Sequence, residues 1–391
     1  MDRRRRLVPS WRAVAWNEWI ASQLDEVRAA GRWRQTRSFD AFGPEGWIEG
    51  APVLSFASND YLGLSAHPSV IGAAAGAAQR WGSGATASRL IVGTRPGHGD
   101  LQREIAAWQG CEAALVFSSG YAANLGVLAT VGGPEVTVCS DELNHASIVD
   151  GCRLGRSAVR VYRHRDVGHL DALLSEARCA NPQGRRAVVT DTVFSMDGDL
   201  APLDDLVEVC ARYGALLVLD EAHAVMSPPL APGDHASGAL EIARVGTLSK
   251  TLGSLGGWVA GSTALIELLV NRARSFIFTT GLTPADTAAA LAALRIVRSS
   301  EGEALVGRLR AVVERVRPGH PSPIIPIVLG SEAKAVEVAK ALLDLGLLVP
   351  AIRPPTVPPG TSRLRIAMSA AHTDDGIDRL LAALASLDIR P

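Results

Sequence analysis

Cysteine pairs are missing from this 391-residue sequence. Its five cysteines, Cys111, Cys139, Cys152, Cys179 and Cys210, form no CxxC unit and are odd in number. Neither a disulfide framework nor a zinc site is expected, and a reducing cytoplasm suits such a chain. No apolar run is long enough to cross a bilayer, so no membrane partner is expected. The start, Met1-Asp2-Arg3-Arg4-Arg5-Arg6, has no apolar core behind it, because Arg12, Asn17 and Glu18 intervene. It therefore reads as a solvated tail and not as a secretory signal. Charge of one sign is also lacking: the formal net charge is −1, which gives no reason to expect nucleic acid as a partner. Internal repeats and low-complexity segments are absent.

What remains is a globular composition, 47% hydrophobic and 20% charged, in a chain long enough for two lobes. Its 38 glycines point to tight turns and close helix–sheet packing. Residues 11 to 31 carry Trp16, Trp19, Ile20, Leu24 and Val27 at helical spacing, and Gly43-Pro44-Glu45-Gly46 reads as a hairpin or loop. Short β-rich segments then alternate with alanine-rich helical ones. The apolar runs 113–117, 135–139, 158–162, 186–190 and 215–219 read as strands buried on both faces. That pattern predicts an α/β fold with a mainly parallel sheet flanked by helices. The chain turns mostly helical between Thr283 and Arg315 and ends in a smaller α+β pattern with strands near 322–328 and 363–367. The expected division is an N-terminal helix and hairpin over 1–53, a large domain over 54–285 and a small C-terminal domain over 286–391.

Polar residues cluster after the predicted strand ends, where open α/β sheets bind ligands. Thr247-Leu248-Ser249-Lys250-Thr251-Leu252-Gly253 places a lysine among hydroxyls and glycines. Alone it reads equally well as a surface lysine beside a turn. A Schiff-base lysine needs a lowered pKa and a fixed carbonyl partner, and flanking hydroxyls and backbone can reach a phosphate. Asp220-Glu221-Ala222-His223 ends a very apolar strand. A buried aspartate there can keep a pyridine cofactor's ring nitrogen protonated, and His223 can reach the ring's phenolic oxygen. Ser118-Ser119-Gly120-Tyr121 joins a strand to a helix start, a place for a phosphate or for an ordinary N-cap. His145, after the next strand, can stack on a planar ring. Ser195, in Phe194-Ser195-Met196-Asp197-Gly198, can donate to a cofactor or simply make a turn.

In this order, these motifs resemble fold-type I pyridoxal 5'-phosphate (PLP) enzymes, and more narrowly the α-oxoamine synthase family, whose members condense an amino acid with an acyl thioester and lose carbon dioxide. The resemblance runs from about Leu54 to about Leu387. It also takes in Ser58-Asn59-Asp60-Tyr61-Leu62-Gly63-Leu64, the glycine-rich Gly82 to Leu90 and Asn144-His145-Ala146-Ser147. The segment Ile352-Arg353-Pro354-Pro355-Thr356-Val357-Pro358-Pro359-Gly360-Thr361-Ser362-Arg363-Leu364-Arg365 is most similar to members that use L-alanine and a pimeloyl thioester, on CoA or acyl-carrier protein. The resemblance implies that Lys250 holds PLP, Asp220 pairs with its ring nitrogen, His145 stacks on the ring, and Ser195 and His223 contact its oxygen side. It implies that Gly120, Tyr121 and Thr247 contact the cofactor or its phosphate. It implies that Thr279 and Thr280 reach the cofactor of a neighbouring subunit, hence a homodimer. Arg365 with Asn59 would hold the amino acid's carboxylate, and Thr356 and Arg34 the acyl substrate.

One stretch departs from the family. After His223 the family continues with a glycine-rich run ending in Gly-Arg-Gly, whereas here the sequence reads Ala224-Val225-Met226-Ser227-Pro228-Pro229-Leu230-Ala231-Pro232-Gly233. This bears on the acyl substrate more than on the PLP chemistry, and an α-oxoamine synthase with another amino acid or acyl chain is the alternative. A non-catalytic ligand sensor on the same fold conflicts with the intact set Lys250, Asp220, His223 and His145. A plain aminotransferase would release neither carbon dioxide nor thiol.

Overall fold

In a computed structural model, the structure describes residues 15–226 and 240–391. The arginine run and the departing segment from Ser227 onward lie outside the described residues. The core is a seven-stranded sheet. From one edge its strands are Ala113–Phe117, Gly257–Gly261, Ile242–Thr247, Leu216–Asp220, Arg185–Asp191, Val136–Asp141 and Ala158–Tyr162. The last five pair in parallel, and Gly257–Gly261 runs antiparallel to both neighbours. The sheet is thus mainly parallel, as the continuous apolar runs predict.

Alternation along the strands explains why both faces are covered. Leu217 and Leu219 face a cluster with Leu170, Leu174, Leu206 and Val209, which come from the helices Val167–Ala180 and Leu203–Tyr213. Val218 faces the opposite cluster with Ala123, Val127, Ile148 and Leu269, from Gly120–Val131, Ala146–Gly155 and Thr263–Arg272. Only the outer strand Ala158–Tyr162 opens its middle to solvent, with Val159 and Val161 exposed.

Helices Pro284–Val297 and Ser300–Val316 lead into a three-stranded antiparallel sheet, Ile324–Gly330, Ser362–Ala367 and Ala351–Ile352. The sequence near Gly43 does form a hairpin, between Asp40–Phe42 and Glu45–Ile48. It continues into Ala51–Ser55, which pairs in parallel with Leu347–Leu348. Segments nearly 300 residues apart in sequence therefore share one small sheet, and Asn59 and Tyr61 are delivered beside Arg365 of the strand Ser362–Ala367. The amphipathic segment near the start forms the helix Trp16–Ala29, with no buried residue and its apolar side chains exposed.

Leu217 is fully buried in the centre of the sheet. Leu217→Ala is expected to destabilise the protein by about 2–5 kcal/mol. Val161→Ala, on the exposed edge, should stay within about 0.5 kcal/mol of the parent. Urea midpoints of the two variants check both.

Candidate functional site

The C-terminal ends of the parallel strands bring polar groups together. Asp191 and Asp220 are register partners on neighbouring strands, and Thr247 ends the next one. Asp220 is buried and held on both oxygens: the Ala222 amide donates to Oδ1 at 2.9 Å and Asn124 Nδ2 to Oδ2 at 2.6 Å. Asn124 Nδ2 also donates to Ser147 Oγ at 2.9 Å, and Ser147 Oγ lies 2.7 Å from His145 Nδ1. Asp191 Oδ2 accepts from the His145 backbone amide at 2.8 Å. Burial, helped by the charge of Asp220, pushes the Asp191 carboxyl well above its ordinary range.

Lys250 faces this pair. Its Nζ lies 2.9 Å from His223 Nε2. Burial lowers the Lys250 pKa, and Asp220 and Asp191 act against that shift. Burial, then the charges of Lys250 and Arg365, hold His223 well below the usual histidine value, so its ring is neutral. The chain has only three lysines, and the other two, Lys334 and Lys340, are exposed on the helix Glu332–Asp344. That scarcity is a signal that motif reading passed over.

Beyond His223, Tyr61 Oη lies 2.6 Å from Nδ1. Arg365 is buried, and its Nη2 donates to Asn59 Oδ1 at 3.1 Å and its Nε to the Ser195 carbonyl at 2.6 Å. An open cleft of about 960 Å³ adjoins these groups, lined by His145, Ser195, Thr356, Arg363 and Arg32 among others. Thr356 is thus at the cleft. Arg34 is exposed and absent from its lining, where Arg32 is found. Thr279 and Thr280 are not joined to the Lys250 cluster within this chain; Thr280 bridges to Ser88 instead. The other expected residues converge. Asn124, Asp191, Tyr61 and Arg363 join them without having been singled out.

The loop carrying Ser195 is braced from the neighbouring strand end. His164 Nδ1 is 3.0 Å from Asp141 Oδ1, and its Nε2 is 2.8 Å from Asp199 Oδ2. Burial opposes its charge, but the two carboxylates outweigh that and raise its pKa to about 9. Its ring also packs edge-on against Phe194.

The residues present fit PLP. Gly120 starts the helix Gly120–Val131, beside the hydroxyls of Ser119, Thr247 and Ser249. A Cβ at Gly257 would stand 2.4 Å from the Ser119 carbonyl oxygen, so only glycine allows this strand to pack under the phosphate-type cradle. Gly253, with φ +57°, turns the chain after Lys250 where a Cβ would strike the Ser65 amide. Asn124 Oδ1 is a buried acceptor with no hydrogen-bond partner among the described residues. Among those residues no cluster of His, Cys, Asp and Glu could hold a metal ion.

A model of the aminotransferase class I and II family matches residues 51–384, and the chain belongs to that family. It is 49% identical to an 8-amino-7-oxononanoate synthase of Anaeromyxobacter dehalogenans, over 95% of each chain. It is 44% identical to that of Geobacter sulfurreducens, over 94% of this chain and 97% of the relative. A solved serine palmitoyltransferase from S. paucimobilis, with PLP and myriocin bound, superposes with a TM-score of 0.86 at 29% identity, covering 95% of this chain and 98% of that one. These similarities put the chain in the α-oxoamine synthase branch of the fold-type I PLP enzymes.

The His164 brace makes a signed prediction. Its folded-state pKa lies above the unfolded value, so its stabilisation is complete below about pH 6.5 and is lost as pH rises through about 9. His164→Gln should therefore lower Tm most near pH 6.5, with the deficit shrinking toward pH 10; Tm measured across that range for both proteins checks it.

Proposed function

We propose that this chain is an 8-amino-7-oxononanoate synthase, an acyltransferase of biotin biosynthesis. It joins L-alanine to a pimeloyl thioester, on CoA or acyl-carrier protein, with release of thiol and carbon dioxide. The observation that carries the reading is one connected cluster: Lys250 against His223, with Arg365 and Asn59 at its far side. The likeness to curated synthases over nearly the whole chain supports the particular substrates.

In this reading Lys250, Asp220, His223, His145, Ser195, Gly120, Tyr121 and Thr247 hold PLP, which when bound supplies an electron sink for carbanion chemistry. Asp220, fixed by Asn124 and the Ala222 amide, would face the ring nitrogen of the bound cofactor. Arg365 binds the carboxylate of alanine and orients the Cα–H bond toward Lys250. Lys250, its pKa lowered by burial, accepts that proton at Nζ as general base. The cleft beside Thr356 receives the acyl chain.

Thr279 and Thr280 belong in this reading to the site of a second copy. Leu90, Ile91, Val92 and Phe278, near the Ser88–Thr280 bridge, are exposed apolar side chains that a homodimer would cover. The lobes are then 54–285 for the cofactor and 286–391 for the carboxylate, with 1–53 as an N-terminal addition. No described helix is long and apolar enough to cross a membrane.

The test is thiol release from pimeloyl-CoA with L-alanine, followed by the product's mass. The expected product is 8-amino-7-oxononanoate. Thiol release only from other acyl thioesters would favour another α-oxoamine synthase, as the segment after His223 allows. Lys250→Ala should reduce multiple-turnover thiol release by about 10²–10⁴-fold or more; full activity would remove Lys250 from its role.

A further inference from the structure

His164 braces the loop that carries Ser195, and the contacts of that loop lead on to Arg365. His164 Nε2 lies 2.8 Å from Asp199 Oδ2. Asp199 is one foot of the loop and Phe194 the other: the Phe194 amide donates to the Asp199 carbonyl at 3.1 Å, and the Gly198 amide donates to the Phe194 carbonyl at 2.8 Å. The loop is pressed against the small lobe. A Cβ at Gly198, where φ is +70°, would stand 2.0 Å from the Ile324 carbonyl oxygen, and Asp197 pairs with Arg363. Within this loop the Ser195 carbonyl accepts from Arg365 Nε at 2.6 Å. Where the loop stands therefore helps to set where the Arg365 guanidinium points.

The ring of His164 needs a hydrogen on each nitrogen to serve two carboxylates. When charged, it donates from Nδ1 to Asp141 and from Nε2 to Asp199. A neutral ring carries one hydrogen, so one carboxylate then faces a lone pair. Asp141 is poorly placed to move: it ends the strand Val136–Asp141, is buried, and accepts from the Leu143 and Arg165 amides, each at 2.9 Å. Asp199 is freer, on the loop and with a side chain 29% exposed. Loss of the ring's charge therefore loosens the loop side.

The charged groups around the ring come from three places. Asp141 and Glu142 come from the strand end, where Glu142 Oε1 accepts the His164 amide at 2.8 Å. Arg165 comes from the same turn as His164, and its Nη1 donates to Asp199 of the loop at 3.1 Å. Tyr162, near Asp141, and His320, near Asp199, stay neutral from pH 7 to 10, because burial pushes the phenol up and the imidazole down. Burial opposes the charge of His164, the two carboxylates sustain it, and it is lost as pH rises through about 9.

We propose that His164 is a positioning residue for the amino-acid substrate: through Asp199 and the Ser195 loop, its charged ring holds Arg365 in place to take the carboxylate. The inference rests on the reading of Arg365 as the holder of that carboxylate. The carboxylate subsite then weakens as the ring loses its charge.

The test uses the PLP-loaded enzyme and propanoate, which has alanine's carboxylate and methyl group but no amine to titrate. Its dissociation constant is measured by calorimetry between pH 7 and pH 10 for wild type and for His164→Gln, whose amide takes up no proton in that range. At pH 7 the variant is expected to bind propanoate about three- to tenfold more weakly, the scale of one hydrogen bond. The ratio of the two constants should fall toward one by pH 10; titrations common to both proteins cancel in it. A ratio of one at pH 7, or a ratio that does not change up to pH 10, overturns the proposal. If His164→Gln does not fold, Asp199→Asn replaces it, with weaker binding at pH 7 and the same fall expected, and the same two results overturning. Arg365→Ala keeps the two readings apart. Propanoate binding unchanged in that variant removes Arg365 from the carboxylate, whereas binding that needs Arg365 and ignores His164 overturns the positioning role alone.

Discussion

The arrangement depends on placing a lysine amine inside the protein next to buried carboxylates without letting it become an inert ion pair. Burial favours the neutral amine of Lys250, while Asp220 and Asp191 favour its ammonium. The balance between these opposing pulls keeps the amine able to give and take a proton. Burial and the neighbouring Asp220 push the Asp191 carboxyl upward, which weakens its pull on the lysine. His223, neutral and hydrogen-bonded on both nitrogens, accepts or donates without adding charge.

The fold supplies this balance through geometry. Parallel strands present their C-terminal ends on one edge, and the continuous apolar runs that bury both faces leave that edge as the place for polar groups. The small antiparallel sheet then closes the site from the other side, with Arg365 reaching the Ser195 carbonyl and Asn59. Because Ala51–Ser55 pairs with Leu347–Leu348, the segment holding Asn59 and Tyr61 is fixed to the same small lobe as Arg365. Arg365 and Lys250 thus come from separate parts of the chain and are linked by hydrogen bonds through Asn59, Tyr61 and His223.

Much of this was legible in the sequence, for specific physical reasons. The strands Ala113–Phe117 and Ala158–Tyr162 coincide with their apolar runs, and three others differ by one or two residues at each end. The strands Ile242–Thr247 and Gly257–Gly261 were not legible. One carries the buried Arg244, paired with Glu221, and the other is glycine-flanked and antiparallel, so neither shows a continuous apolar run bounded by turns. In the site, Lys250, Asp220, His223, His145 and Arg365 could be named because each stands in a motif beside a strand end. Asn124, Asp191 and Arg363 could not be given roles, because a buried polar residue is explained only by partners that are distant in sequence: Asn124 by Asp220, Asp191 by the His145 amide, Arg363 by Asp197. The exposed face of Trp16–Ala29 shows the opposite case, where helical spacing was right and burial did not follow.

Lys250 is the lysine proposed to hold the cofactor. Borohydride reduction of the PLP-loaded protein, followed by mass mapping of its peptides, tests this directly, because the chain offers just three lysines. The expected result is the added phosphopyridoxyl mass on the peptide containing Lys250 and nowhere else. A label on Lys334 or Lys340, or no label on a PLP-loaded protein, would contradict it.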